Sequence, residues 1–177
     1  TNQGGIQLKV SAVAGGWISR GERLLKDEPL SSEHAWLGIR AAEVALAAGD
    51  PPAAHAAANR AAAIAEELDD DDLRVVAASL EGLALVHIGR VDDGMTRLDE
   101  AAVAATAGEV SDLMWIGKVC CNLIASCERV GDFERATEWC AEVKDFATRW
   151  ELRALFNVCR TQYAGVLMQK GDWREAE

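Results

Sequence analysis

The sequence predicts an all-α fold built as an array of antiparallel helix pairs, an α-α solenoid, and three observations carry that prediction. The first is composition: of 177 residues, 32 are Ala, 3 are Pro and 1 is Tyr, while half are hydrophobic. Ala is the best helix former and a poor strand former, which excludes an all-β fold, and the apolar half suffices for a core, which excludes wholesale disorder. The second is a recurring mark: Gly15-Gly16-Trp17, Gly49-Asp50-Pro51, Gly89-Arg90-Val91, Gly131-Asp132-Phe133 and Gly171-Asp172-Trp173. Their first glycines are 34, 40, 42 and 40 residues apart, a period typical of helical repeats. The third is that each mark lies between two segments of helical apolar periodicity. Gly ends a helix in the left-handed conformation and the following Asp caps the next, so each unit is a helix, a tight turn and a second helix.

Taken in order, a partial first unit spans about 4–27, leaving the opening Thr-Asn-Gln-Gly-Gly outside the fold argument. Three complete units follow at about 32–67, 72–107 and 112–149, and a partial fourth at 152–177. In the first complete unit Ala42 and Ala45 precede Gly49 by seven and four residues, and Ala54, Ala58 and Ala61 follow it by five, nine and twelve. In the second the same places hold Gly82, Leu85, Gly94, Leu98 and Ala101; in the third, Ile124, Cys127, Ala136, Cys140 and Val143. The fourth repeats the start of the pattern with Ala164, Leu167 and Ala176. Such offsets fall on one helical face, and small residues there let helices approach closely. The acidic run Glu66-Glu67-Leu68-Asp69-Asp70-Asp71-Asp72 lies between two units, where Asp71 or Asp72 is expected to cap a helix starting near Leu73. The run lacks the alternating ligands and central Gly of a calcium loop. The chain reads only one turn into its last helix, so a segment cut from a longer protein is expected.

A net charge of −11 repels phosphate backbones, so direct contact with nucleic acid or anionic lipid is not expected of this segment. No apolar run approaches the roughly 18 residues of a membrane span, and Thr1 to Val10 lacks a signal peptide's basic region and apolar core. Five cysteines, an odd number, make a poor disulfide framework, which points to a reducing cytoplasm. Cys120, Cys127 and Cys140 fall on the core stripe and read as packing rather than zinc ligands, while Cys121 falls on the opposite face. His34, His55 and His87 lie on different units, and neither a nucleophile motif nor a Gly-rich phosphate cradle is present, so no enzymatic activity, metal or cofactor is expected. Trp17, Trp173 and Trp139 read as packing residues; Trp36 and Trp115 are better placed to meet a ligand.

The pattern resembles the tetratricopeptide repeat, whose consensus puts small residues at positions 8, 20 and 27 and a Gly-Asp-aromatic turn between the helices. Gly131-Asp132-Phe133 and Gly171-Asp172-Trp173 match that turn in full, whereas the spacing near 40 and the large Ile124 at a small site depart from it. The resemblance implies a right-handed superhelix with a concave face lined by first helices, a TPR-like fold. Carried over by position, that face comprises Trp36, Ile39, Glu43, Leu46 and Ala47, then Val76, Ser79, Leu83, Val86 and His87. It continues with Lys118, Cys121, Ala125, Glu128 and Arg129, then Val158, Thr161, Gly165, Met168 and Gln169. This groove is mostly apolar with a polar patch in the third unit, which suits an amphipathic helix or apolar peptide.

A narrower resemblance runs from about Ala12 onward, through Gly16-Trp17-Ile18-Ser19-Arg20, Glu33-His34-Ala35-Trp36-Leu37, Gly89 to Gly94, Leu98-Asp99-Glu100-Ala101, Cys120 to Cys127, Gly131 to Ala136 with Glu138-Trp139, and Cys159-Arg160. These strings are similar to the helical repeat region of large LuxR-type (MalT-like) bacterial transcriptional regulators. The resemblance implies an interaction or regulatory arm that binds a partner protein, a peptide or another domain of its own chain. A small-effector sensor and a stand-alone adaptor remain the alternatives. An uncapped apolar end would also allow a homo-oligomer.

Overall fold

The computed structural model describes residues 12–151 and 153–176. Residues 4–11 of the first unit, and the side chains of Val158, Cys159 and Arg160, lie outside the described residues. Among the described residues every regular element is a helix: α1 (Ala12–Leu25), α2 (Ser32–Ala48), α3 (Pro51–Glu67), α4 (Asp71–Ile88), α5 (Val91–Ala107), α6 (Leu113–Val130), α7 (Phe133–Arg149), α8 (Arg153–Lys170) and α9 (Trp173–Ala176).

The chain ends its helices as the marks predict. Gly49, Gly89 and Gly131 close α2, α4 and α6 with φ of 77°, 97° and 77°, a conformation that L side chains rarely adopt. Asp50 and Asp132 then each accept a hydrogen bond at 3.1 Å, from the amides of Ala53 and Arg135, and so open α3 and α7. Arg90 holds the equivalent place before α5 without a side-chain cap. Two expectations are corrected. Gly15 and Gly16 lie inside α1 rather than in a turn, since no capping Asp follows them and Ala, Ile and Leu on either side support a continuous helix. In the acidic run, Asp70 rather than Asp71 or Asp72 caps α4, accepting from the Leu73 amide at 3.0 Å. Asp72 is occupied elsewhere, accepting from the Ser111 amide and hydroxyl at 2.7 and 2.6 Å, which ties the start of α4 to the loop before α6.

Each helix packs on the next, and α2, α4, α6 and α8 also pack successively on one another. Thus α3 lies against both α2 and α4, α5 against α4 and α6, and α7 against α6 and α8. The core at α3 is almost pure alanine: Ala54, Ala57, Ala58, Ala61 and Ala65 are its buried residues. Further along, the load passes to larger side chains, with Leu123, Ile124 and Val143 fully buried. Between α4 and α5 backbone approaches backbone. A Cβ placed on Gly82 would sit 2.8 Å from the Gly94 carbonyl oxygen, and one on Gly94 would sit 2.7 Å from that of Gly82. In the next hairpin Ile124 occupies the place of Gly82, and α6 and α7 stand less closely together.

The tryptophans divide differently from the sequence expectation. Trp139 does pack, donating its indole N–H to Asp99 Oδ1 at 2.8 Å and bridging α7 to α5. Trp17 and Trp173 do not wedge between helices: they are 66% and 63% exposed. Trp17 lies mid-helix in α1, and α9, which carries Trp173, packs on α8.

Substituting either close-packed glycine is therefore expected to be costly. Gly82→Ala should lower unfolding stability by about 2–3 kcal/mol, because the methyl meets backbone on the facing helix. Gly15→Ala, whose Cβ would meet nothing within 4 Å, should leave the midpoint unchanged or raise it. Urea denaturation of the two variants checks both.

Candidate functional site

The first-helix face assigned from sequence separates into a buried part, a closed part and an open part. α4 is the reason. It packs against α2, α3, α5 and α6, and eleven of its eighteen residues are buried. Val76 and Ser79, expected on the groove, are in the core with Val86 and, on α2, Ile39. Ser79 is held there by a polar tie: its hydroxyl donates to the Val76 carbonyl at 2.9 Å and accepts from Asn122 Nδ2 at 3.2 Å. Burying these groups is tolerable because they satisfy one another. Asn122 was not singled out from sequence, although an amide inside the apolar run of α6 is the available signal.

The closed part lies where α2 and α6 reach one another beside α4. The Trp36 and Trp115 rings are 4.4 Å apart between centroids and tilted by 31°. The Arg40 guanidinium sits 5.2 Å from the centroid of Trp115. One turn on, Glu43 receives Lys118 Nζ at 2.9 Å and Arg40 at 2.6 Å. Burial works against the Glu43 carboxylate, yet the two cations outweigh it and hold the carboxyl below its ordinary value of 4.5. Trp115, expected to be available to a ligand, is buried in this arrangement, whereas Trp36 keeps one edge half-exposed.

That edge borders an open apolar cleft of about 400 Å³ between α1 and α2, lined by Gly21, Leu24, Leu25, Leu37 and Trp36 with Glu33 and Arg40. His34 fastens the same junction, its ring contacting the Leu25 carbonyl at 3.0 Å and the Ser31 hydroxyl at 3.2 Å. No sequence mark pointed to this cleft, since it arises from how α1 docks, not from a motif.

The open part is formed by the later turns of α4, α6 and α8. Leu83 and His87 on α4, Cys121, Ala125, Glu128 and Arg129 on α6, and Met168 on α8 all remain at least partly accessible, and Thr161 is exposed. Arg129 is close enough to His87 to reinforce what burial does, keeping the imidazole below its ordinary 6.5 and hence neutral at pH 7. Burial likewise raises the Cys121 thiol, with Lys118 opposing, and raises the Glu128 carboxyl. Cys120, Cys127 and Cys140 are buried, and the Cys127 thiol is pushed up to about 12, chiefly by burial.

Among the described residues no three His, Cys, Asp or Glu side chains cluster so as to hold a metal ion, and no helix is long and apolar enough to cross a membrane. No family model matches the chain, and no curated protein matches it.

Two outcomes follow from the closed and open parts. Because the folded pKa of Glu43 is depressed, its contribution to stability is complete above the ordinary carboxylate range and is lost as pH falls through the folded value. Lys118→Met should flatten that acid-side loss, measured as unfolding midpoints between pH 6 and 3. Among the described cysteines, Cys121 should be the one labelled by a thiol reagent in the native chain, slowly at pH 7 and faster as pH rises, with peptide mapping as the readout.

Proposed function

We propose that this chain is a TPR-like solenoid serving as the interaction and regulatory arm of a LuxR-type transcriptional regulator, working in the cytoplasm. It binds a partner protein, or another domain of its own chain, through the first-helix face. The observation that carries the reading is the open part of that face. Three successive first helices, α4, α6 and α8, present accessible apolar side chains around a polar centre at His87, Glu128 and Arg129. Partial apolarity with few polar groups is what helix-in-groove recognition uses. The packing of each first helix on the next, and the resemblance of the Gly marks to tetratricopeptide turns, support the same reading. DNA contact would belong to another part of such a regulator, in keeping with the charge of −11.

A second reading is favoured by one feature, the cleft beside Trp36. At about 400 Å³ with an apolar lining and a carboxylate and guanidinium at its edge, it falls within the size range of small-molecule sites, roughly 300–1,000 Å³. In this reading the arm itself senses an effector.

The test places a photoreactive benzoylphenylalanine at Ala125, exposed on the open face, and at Val103, exposed on α5, in the native chain within its source cells. A discrete polypeptide adduct at position 125 and none at 103 is expected. Equal labelling at both, or none, would discard the interaction reading. Stabilisation by a small molecule, growing with concentration as mass action requires, would then favour the sensor.

A further inference from the structure

The inference rests on the interaction reading and concerns the chemistry of the partner. The last turn of α6 holds a carboxylate in a place that costs the isolated chain stability. Glu128 is half-buried, and among the described residues it has no hydrogen-bond or ion partner. Burial pushes its carboxyl up, and no cation offsets the effect. It also lies three residues before the cap Gly131, where the negative end of the helix dipole disfavours an acid. Leu46, Val86 and Met168 occupy the corresponding place on α2, α4 and α8, so an apolar residue is the local habit. An additional acid in a chain of net charge −11 brings no solubility benefit that its surface lacks.

The surroundings leave room for a ligand atom. Glu128 Oε1 points toward α8, 3.5 Å from where a Cβ on Gly165 would stand, and Gly165 has none. Ala125, one turn earlier on α6, is small and exposed, and Leu83 on α4 and Met168 on α8, helices that pack on α6, keep accessible apolar surface. Arg129, on the rim next to Glu128, is exposed and without an ion pair among the described residues.

We propose that Glu128 anchors a Lys or Arg side chain of an amphipathic helix whose apolar face lies on Leu83, Ala125 and Met168. Charge complementarity selects this occupant. An incoming cation restores to Glu128 what burial removed, and the overall charge of −11 steers a basic segment toward the chain. Arg129 on the rim has room for an acidic residue beyond the apolar stripe.

The experiment measures fluorescence anisotropy at 0.15 M salt with two synthetic amphipathic helices of equal length and apolar pattern, one Leu/Lys and one Leu/Glu. The proteins are the parent chain, Glu128→Gln, and Glu142→Gln, which removes the same charge from an exposed position on α7. The Lys peptide is expected to bind the parent at least tenfold more tightly than the Glu peptide. Glu128→Gln should weaken it about tenfold and Glu142→Gln less than twofold. The thermal midpoint of Glu128→Gln should be unchanged or higher, which a merely structural role for the carboxylate would not produce. Equal losses in the two variants, or equal binding of both peptides, would overturn the inference. If an adduct still forms at position 125 in cells, the interaction reading survives such a result; if no adduct forms and neither peptide binds, both fail.

Discussion

The approach of α5 to α4 governs much of what surrounds it. With Gly82 and Gly94 facing one another, backbone meets backbone, and α4 is drawn into a position where other helices also reach it. Once α4 is enclosed by α2, α3, α5 and α6, its buried side chains have to be apolar or internally satisfied, and they are: Leu73, Val75, Val76, Leu80 and Leu85 are apolar, and Ser79 is bonded to Val76 and Asn122. Enclosure of α4 also brings α2 and α6 within side-chain reach. The Trp36–Trp115 contact and the Glu43–Lys118 pair are consequences of that proximity. The accessible first-helix surface is left to the later turns of the helices.

Charge is distributed in a way that separates local from connecting pairs. Arg74–Asp71, Arg90–Asp93 and Arg135–Asp132 join residues three apart at exposed ends of helices and contribute little, by the usual measure of exposed pairs at most about 1 kcal/mol each. Lys118–Glu43 and Arg97–Glu81 instead join different helices, each around a carboxylate only 20% exposed. Asp99 is used twice, by Trp139 at 2.8 Å and by Arg135 at 3.8 Å, and so connects α5 to α7, which are not consecutive.

The helices themselves were largely legible because their ends are written in residue types with narrow backbone preferences: Gly at 49, 89 and 131, with Asp at 50 and 132. The same mark misled at Gly15-Gly16, where glycine without a following cap is simply tolerated inside a helix. Faces were less legible than ends. Position along a helix says which residues share a side, but Ile39, Val76 and Ser79 became core only because neighbouring helices covered that side. Whether a face is covered depends on the distance between helices, which rests on contacts such as Gly82 against Gly94 that are paired across the turn. The α1–α2 cleft was invisible for a related reason: Gly21, Leu24 and Leu25 share one face of α1, but the cleft exists only where that face meets Trp36 and Leu37 of α2. The polar centre of the third unit, by contrast, was visible as Lys118, Glu128 and Arg129 in a mostly apolar series.

Closure of the earlier part of the face changes the scale of any ligand the chain can take there. A long extended peptide threading all four first helices would have to displace the stacked tryptophans and separate Glu43 from Lys118, leaving a carboxylate with most of its surface buried. Breaking one side of such a pair is costly, because the remaining charge stays desolvated. A short segment lying only on α4, α6 and α8 disturbs none of this. Its contact area is small, so affinity has to come from a few well-placed groups rather than from extent. The accessible apolar side chains are few and of modest size, which leaves Glu128 and Arg129, without ion pairs among the described residues, as the groups able to distinguish one segment from another. Stability and recognition therefore pull apart within α6: its first turns, with Trp115 and Lys118, hold the helices together, while its last turns keep polar groups that packing alone would replace with leucine or valine.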